Sequence, residues 1–278
     1  MSRAAVGRAK PGKTGWKAEL KSWALVIIAI LLVWTFVVRR FYIPSESMMP
    51  TLITGDQIVV TKFPYGWSYS SLVIHPVPMR GRLLGGTPRR GDVVTLDREG
   101  EDLIKRVIGL PGDRIAVREG VVILNGVAVK RVAEAPAMLP VDANLPCTRP
   151  LEIPFRTRGA DGHFHCAMPR YRETLPNGVS YDTIDLGLTT FDDYPETVVP
   201  PGHVFVMGDN RDESADSRVP PEDGGLGGPI PLEAVSGRAE LITHSYDGST
   251  SYFNPISWFS ALRHGRAGTS LHPRHEGK

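Results

Sequence analysis

Only two of the 278 residues are cysteine, and none of the eight histidines stands in the setting of a catalytic triad. A one-sided charge is also missing. With 32 basic residues against 30 acidic ones the formal charge is +2, which points to neither nucleic acid nor an acidic ligand. There is no internal repeat and no long amphipathic helix, which sets aside repeat arrays and helical bundles. At 41% hydrophobic residues the chain is not a disordered one, and its length suffices for one large domain or two small ones.

Absent too is a small-x-small cleavage site after the long apolar run WALVIIAILLVWTFVV, residues 23–38. As a helix this run spans about 24 Å, and Lys21 and Arg39 can snorkel to lengthen it. Arg-Arg-Phe-Tyr-Ile-Pro follows it, so residues 22–39 are expected to be an uncleaved transmembrane anchor rather than a signal peptide or a core helix. Before it, Arg3, Arg8, Lys10, Lys13, Lys17 and Lys21 face only Glu19, and residues 1–21 read as a solvated basic tail. The positive-inside rule then keeps the amino terminus in the cytoplasm and exports everything from Arg39 onward.

Beyond the anchor, short β-rich runs at 57–62, 92–96, 103–109, 113–117, 203–208 and 237–243 are broken by Gly and Pro. VVILNGVAVK (121–130) is the clearest local signal, two strands joined by Asn125-Gly126 in a type I′ hairpin turn. The expected fold is mainly β, in two parts at 40–130 and 201–263. Residues 131–200, rich in proline and weak in periodicity, read as a cap-like insertion. DGGLGGP at 223–229 reads as a flexible loop and 264–278 as a flexible tail. Trp258 and Phe259 offer either a second membrane contact or a buried aromatic pair.

Cys147 and Cys166 fall in the exported part. A disulfide there would close a loop of about 20 residues and contribute on the order of 3 kcal/mol. Zinc is the competing reading, since His163, His165 and Cys166 cluster, but HFHC lacks paired ligand spacing; two unlinked thiols are a further alternative.

Three stretches could carry chemistry. IPSESMMP (43–50) places Ser45 and Ser47 in a loop fenced by prolines, and a serine there acts as a nucleophile only if a base takes its proton. LIKRVIG (103–109) supplies one candidate base. Both faces of this strand are apolar, so at least one of Lys105 and Arg106 sits among hydrophobic neighbours unless both snorkel at a sheet edge. Arginine keeps its proton, whereas lysine can lose it. Only about one lysine in 2,500 is neutral at pH 7 when unperturbed, so Lys105 would need burial and the nearby Arg106 charge to lower its pKa. GDNRDESADSR (208–218) lacks the glycine and glutamate of an EF-hand and reads as a scaffold of mutually bonding groups.

IPSESMMPTL (43–52), GDVV (91–94), IKRVIGLPGD (104–113) and GDNRDESADSR (208–218), in that order behind an anchor, resemble the successive signature boxes of bacterial type I signal peptidase (leader peptidase). The resemblance implies a largely antiparallel β domain resting on the membrane. It implies Ser47 as nucleophile and Lys105 as general base, with the Ser45 hydroxyl and the Ser47 N–H as oxyanion donors. Ser214 would hydrogen-bond the lysine head, Asp216 and Arg218 would form a buttressing ion pair, and Met48 would pack beside the serine. Implied partners are signal-peptide-bearing preproteins with small residues at the first and third positions before the cut, together with membrane lipids. No metal or organic cofactor is called for. The implied location is the bacterial inner membrane, with the catalytic domain on its outer side. Leu103 departs from the aromatic common two residues before the lysine, the glycine loop lengthens the path after Arg218, and there is one span where some relatives have two. A specialised pilin or conjugation peptidase, a self-cleaving regulator and an inactive anchored scaffold are the alternatives.

Overall fold

The computed structural model describes residues 15–71, 81–251 and 253–275. Most of the basic tail (1–14) and residues 276–278 lie outside them. The first element, α1 (Trp16–Phe36), starts six residues earlier than the charge pattern suggests. Lys17, Ala18, Glu19, Leu20 and Lys21 are good helix formers, so the helix propagates past the apolar run. Not one of its residues is buried, and it is long and apolar enough to cross a membrane. Its end comes early as well, because Arg39 belongs to the next strand.

In chain order the strands are β1 (Val38–Tyr42), β2 (Asp56–Thr61), β3 (Val93–Arg98), β4 (Glu101–Gly109), β5 (Arg114–Arg118), β6 (Val121–Leu124), β7 (Val127–Ala128) and β8 (Lys130–Pro140). There follow β9 (Arg156–Arg158), β10 (Phe164–Thr174), β11 (Val179–Ile184), β12 (Tyr194–Val198), β13 (His203–Met207), β14 (Ile230–Pro231), β15 (Val235–Ser245), a single turn α2 (Ser257–Ser260), and β16 (Arg274–His275). The chain is thus mainly β, and every strand pairing between these elements is antiparallel.

The main sheet runs β1-β2-β15-β3-β4-β13-β14, a second runs β16-β11-β10-β8 with β9 beside β10, and a third runs β12-β5-β6-β7. Asn125 (φ 54°) and Gly126 (φ 80°) take the left-handed conformation the tight β6–β7 turn requires. Four apolar clusters fill the layers. One joins Ile108, Ile115, Val117 and Phe205, so β4, β13 and the third sheet share a core. Another sets Ile43 and Met48, from the loop after β1, against Ile58, Val93 and Ile104.

Residues 131–200, weak in periodicity, nevertheless contain paired strands, β8 to β12. The sequence conceals this because β8 is exposed over most of its length and so carries no alternation. Pro136 and Pro169 both fall where the β8–β10 register shifts, the place where a proline costs no ladder bond. The later loops are likewise held. Gly224 accepts a hydrogen bond from Arg98, Gly227 N–H donates to Val219 O, and Leu271 is buried while Arg274 pairs with Ser180 on β11. Phe253, Ile256 and Phe259 stay exposed, with Trp258 partly so.

The carbonyls that end α1 are met by the β domain. Lys62 Nζ donates to Thr35 O at 2.8 Å and to Trp34 O at 3.4 Å, and Trp67 Nε1 donates to Phe36 O at 2.8 Å. These are the acceptors a helix leaves unsatisfied at its carboxyl end. From the core arrangement, Phe205→Ala should cost about 3–5 kcal/mol of stability, because the fully buried ring links two sheets. Urea unfolding of the full chain in detergent checks this; a change below 1 kcal/mol would show, by about that margin, that the core collapses onto the hole.

Candidate active site

The turn after β1 is pinned at both ends before any side chain is considered. Ile43 N–H bonds Asp56 O and Gly55 N–H bonds Ile43 O, while Leu52 N–H bonds Met48 O. Met48 and Met49 are fully buried, so the turn is nailed to the core and Ser47 is carried on a rigid support. Ser47 is itself 6% exposed.

β4 brings the second group. Its pairing with β3 sets Val94 opposite Lys105 and Val93 opposite Arg106, so the two adjacent cations point to opposite sides. Both are buried, which resolves the choice between burial and snorkelling. Lys105 Nζ lies 3.0 Å from Ser47 Oγ and donates to Ile104 O at 3.1 Å. Ser45 Oγ is 3.4 Å from Ser47 Oγ. Burial holds the Lys105 amine down at about 8, helped by the charge of Arg98, while Asp216 and Asp209 pull the other way. Arg106 is not the helper that its adjacency suggests. Its guanidinium is taken up bidentately by Asp209, at 2.7 and 2.6 Å.

The third stretch follows β13, whose Met207 pairs with Arg106. Asp216 binds Arg218 through two contacts of 3.0 Å and accepts Gly208 N–H at 2.9 Å. Burial alone would raise the Asp216 carboxyl, but Arg218 and these backbone donors hold it below its ordinary value. Ser214 is buried against Gly208, yet its hydroxyl has no hydrogen-bond partner among the described residues and does not bond Lys105. The lysine bond implied for it by resemblance is not among its contacts; the lysine head lies against Ser47 and the Ile104 carbonyl. Cys147 and Cys166 are joined in a disulfide, so neither sulfur is left as a free thiolate for zinc. His165 pairs with Asp161, and His203 caps the Pro201 carbonyl.

Asn210, read from the sequence as part of the 208–218 scaffold, holds the turn that carries Ser47, its N–H donating to Ser47 O at 3.1 Å and its side chain to Glu46 O at 3.3 Å. Sequence reasoning missed the close approach at Gly208. Gly208 sits where a Cβ would come within 2.4 Å of Ser47 O and 2.2 Å of Ser214 Oγ. The only hint was a glycine directly after a buried strand, which marks close approach of another backbone. A groove lined by Phe41, Ile43, Pro44 and Leu103 opens beside Ser45 and Lys105, and Asp102 of its lining forms a 2.7 Å ion pair with Arg39.

A mainly β chain with one apolar helix and a buried serine in contact with a lysine has the outline of a membrane-anchored serine hydrolase. The family described as signal peptidase, peptidase S26, matches residues 16–244, and the chain belongs to it. It is a serine-type peptidase. A signal peptidase I of Rickettsia bellii (strain OSU 85-389) is 30% identical, covering 91% of this chain and 85% of its own. One of Rickettsia typhi (strain ATCC VR-144 / Wilmington) is 31% identical, covering 92% and 94%. A solved signal peptidase I from Enterococcus faecalis V583 is 22% identical, covering 55% of this chain and 97% of that one at a TM-score of 0.28.

Gly208→Ala should lower peptidase kcat on the order of 10²-fold, since the added methyl displaces the Ser47 carbonyl. Steady-state rates on the purified chain decide it; wild-type turnover would show that the turn can shift without consequence.

Proposed function

We propose that this peptidase removes amino-terminal signal peptides from exported preproteins through a Ser47–Lys105 dyad. The single observation that carries the reading is the 3.0 Å contact between Ser47 Oγ and a fully enclosed Lys105 amine. An amine held near 8 is largely protonated at pH 6 and largely free at pH 9.5, so it can accept the serine proton in mildly alkaline solution.

Ser47 Oγ attacks the carbonyl carbon of the last signal-peptide residue as its proton passes to Lys105 Nζ. The oxyanion falls between the Ser45 hydroxyl and the Ser47 N–H. Collapse breaks the C–N bond, and Lys105 returns the proton to the leaving amine of the mature protein. Water, deprotonated by Lys105, then attacks the acyl ester and releases the signal peptide with Ser47 restored. The groove lined by Phe41, Ile43 and Leu103 beside the dyad is where the residues before the cut would lie, and small side chains there are the proposed preference. Its place at the foot of α1 suits a substrate held in the same bilayer, where confinement raises effective concentration. The basic residues before α1 orient it with the amino terminus in the cytoplasm and the site on the outer face.

The test is cleavage, in detergent, of a preprotein with Ala at the first and third positions before the bond. Ser47→Ala and Lys105→Ala should each abolish release of the mature protein while preserving the circular dichroism spectrum; activity near wild type in either variant would refute the dyad. The pH profile has a defined sign. Because the base must be uncharged, kcat/KM should rise with pH through about 8, and a profile flat from pH 6 to 10 would remove Lys105 from that role.

A further inference from the structure

Between the two serines stands Glu46, a buried acid that the dyad does not use. Its carboxylate lies 2.7 Å from Arg149 Nε, and Arg149 also pairs with Glu213, the residue before Ser214. One guanidinium therefore joins the nucleophile turn to the loop that carries Ser214, Asp216 and Arg218. Behind it, Glu152 is wholly buried. Its carboxyl acts on that of Glu46, its N–H donates to Arg149 O at 2.9 Å, and its carbonyl oxygen lies 3.6 Å from Cys147 Sγ and 4.0 Å from Cys166 Sγ. Arg149 and Glu152 belong to the loop that the disulfide closes. Met49, two residues after Ser47, packs in the same apolar cluster as both cysteines. Two independent contacts, one polar and one apolar, thus run from the disulfide loop to the nucleophile turn.

From these contacts we infer that Glu46 is a positioning residue for Ser47, and that Arg149 and Glu152, mounted on the Cys147–Cys166 loop, hold it in place. The inference rests on the reading of Ser47 as nucleophile. The groups facing Glu46 account for its chemistry. Burial, then the hydrogen bond and charge of Glu152, push its carboxyl up to about 7, with Glu213 adding to the rise and Arg149 opposing it. A surface ion pair contributes little, and Arg149 is half-exposed. The Glu46 end is different, because a buried carboxyl that loses its partners must be satisfied by moving the chain that carries it, and that chain carries the nucleophile.

The test uses the full-length chain in detergent and reads kcat, KM and thermal midpoint for wild type, Glu46→Ala, Glu46→Gln, Arg149→Ala and Cys147→Ala/Cys166→Ala, with Ser47→Ala alongside. Glu46→Ala is expected to lower kcat about tenfold or more with KM within about twofold, since misplacement of a reacting group acts on turnover. Glu46→Gln, which keeps the size and the interaction with Glu152, should recover most of that loss. Combining Glu46→Ala with the cysteine pair should cost no more than the worse of the two, because loosening the disulfide loop already releases the Arg149 and Glu152 support that Glu46→Ala removes. Arg149→Ala, at a half-exposed position that does not endanger folding, should reproduce part of the Glu46→Ala defect. Unchanged kcat in Glu46→Ala, multiplicative losses in the combination, or losses that merely follow the unfolded fraction would each overturn the inference. Activity in Ser47→Ala would instead overturn the dyad on which it stands, so the two failures are distinguishable.

Discussion

In the proposed mechanism the base is an amine that must shed its charge near two aspartates, and that constraint organises the site. Asp209 and Asp216 both favour the ammonium form of Lys105, and burial has to outweigh them. It does so because each aspartate already has an arginine of its own, Arg106 for Asp209 and Arg218 for Asp216. With their charge spent locally, the carboxylates buttress the walls without capturing the lysine. Buried ion pairs contribute little net stability after desolvation, and removing one partner is costly. Their use here is to set the protonation of a third group.

Sheet geometry makes this arrangement possible. Adjacent residues of a strand point to opposite faces, so β4 can send Lys105 toward the serine and Arg106 toward Asp209 from consecutive positions. β13, paired to β4, then delivers Gly208 and Asp209 directly beside both. Gly208 lets the Ser47 carbonyl and Ser214 come closer than any side chain would allow. Three segments far apart in sequence meet because two hydrogen-bonded strands and one turn end at the same place.

Much of this was legible in the residues. Five strands of the main sheet, β2, β3, β4, β13 and β15, and the Asn125-Gly126 turn announce themselves by alternation and turn chemistry, and Lys105 by its apolar neighbours, whereas β1 and β14 do not. What stayed hidden has specific causes. β8 lies largely in solvent and shows no pattern. The role of Arg106 depends on where Asp209 lands, which no local spacing reveals. Ser214, placed on the lysine by resemblance, turns instead against Gly208. Glu46 resembles any loop acid until Arg149 and Glu152, more than a hundred residues away, are seen around it.

The cap that Lys62 and Trp67 place on α1 has a mechanical meaning. Only Val37 separates the helix from β1, and the carbonyls of Trp34, Thr35 and Phe36 are all claimed by the β domain. The helix is a stem continuous with the body rather than a tether. A tethered catalyst samples a range of heights above its membrane, whereas one on a stiff stem works at a single height. Under the proposed function, distance from the bilayer would then act as a ruler for the scissile bond, alongside the side chains that flank it.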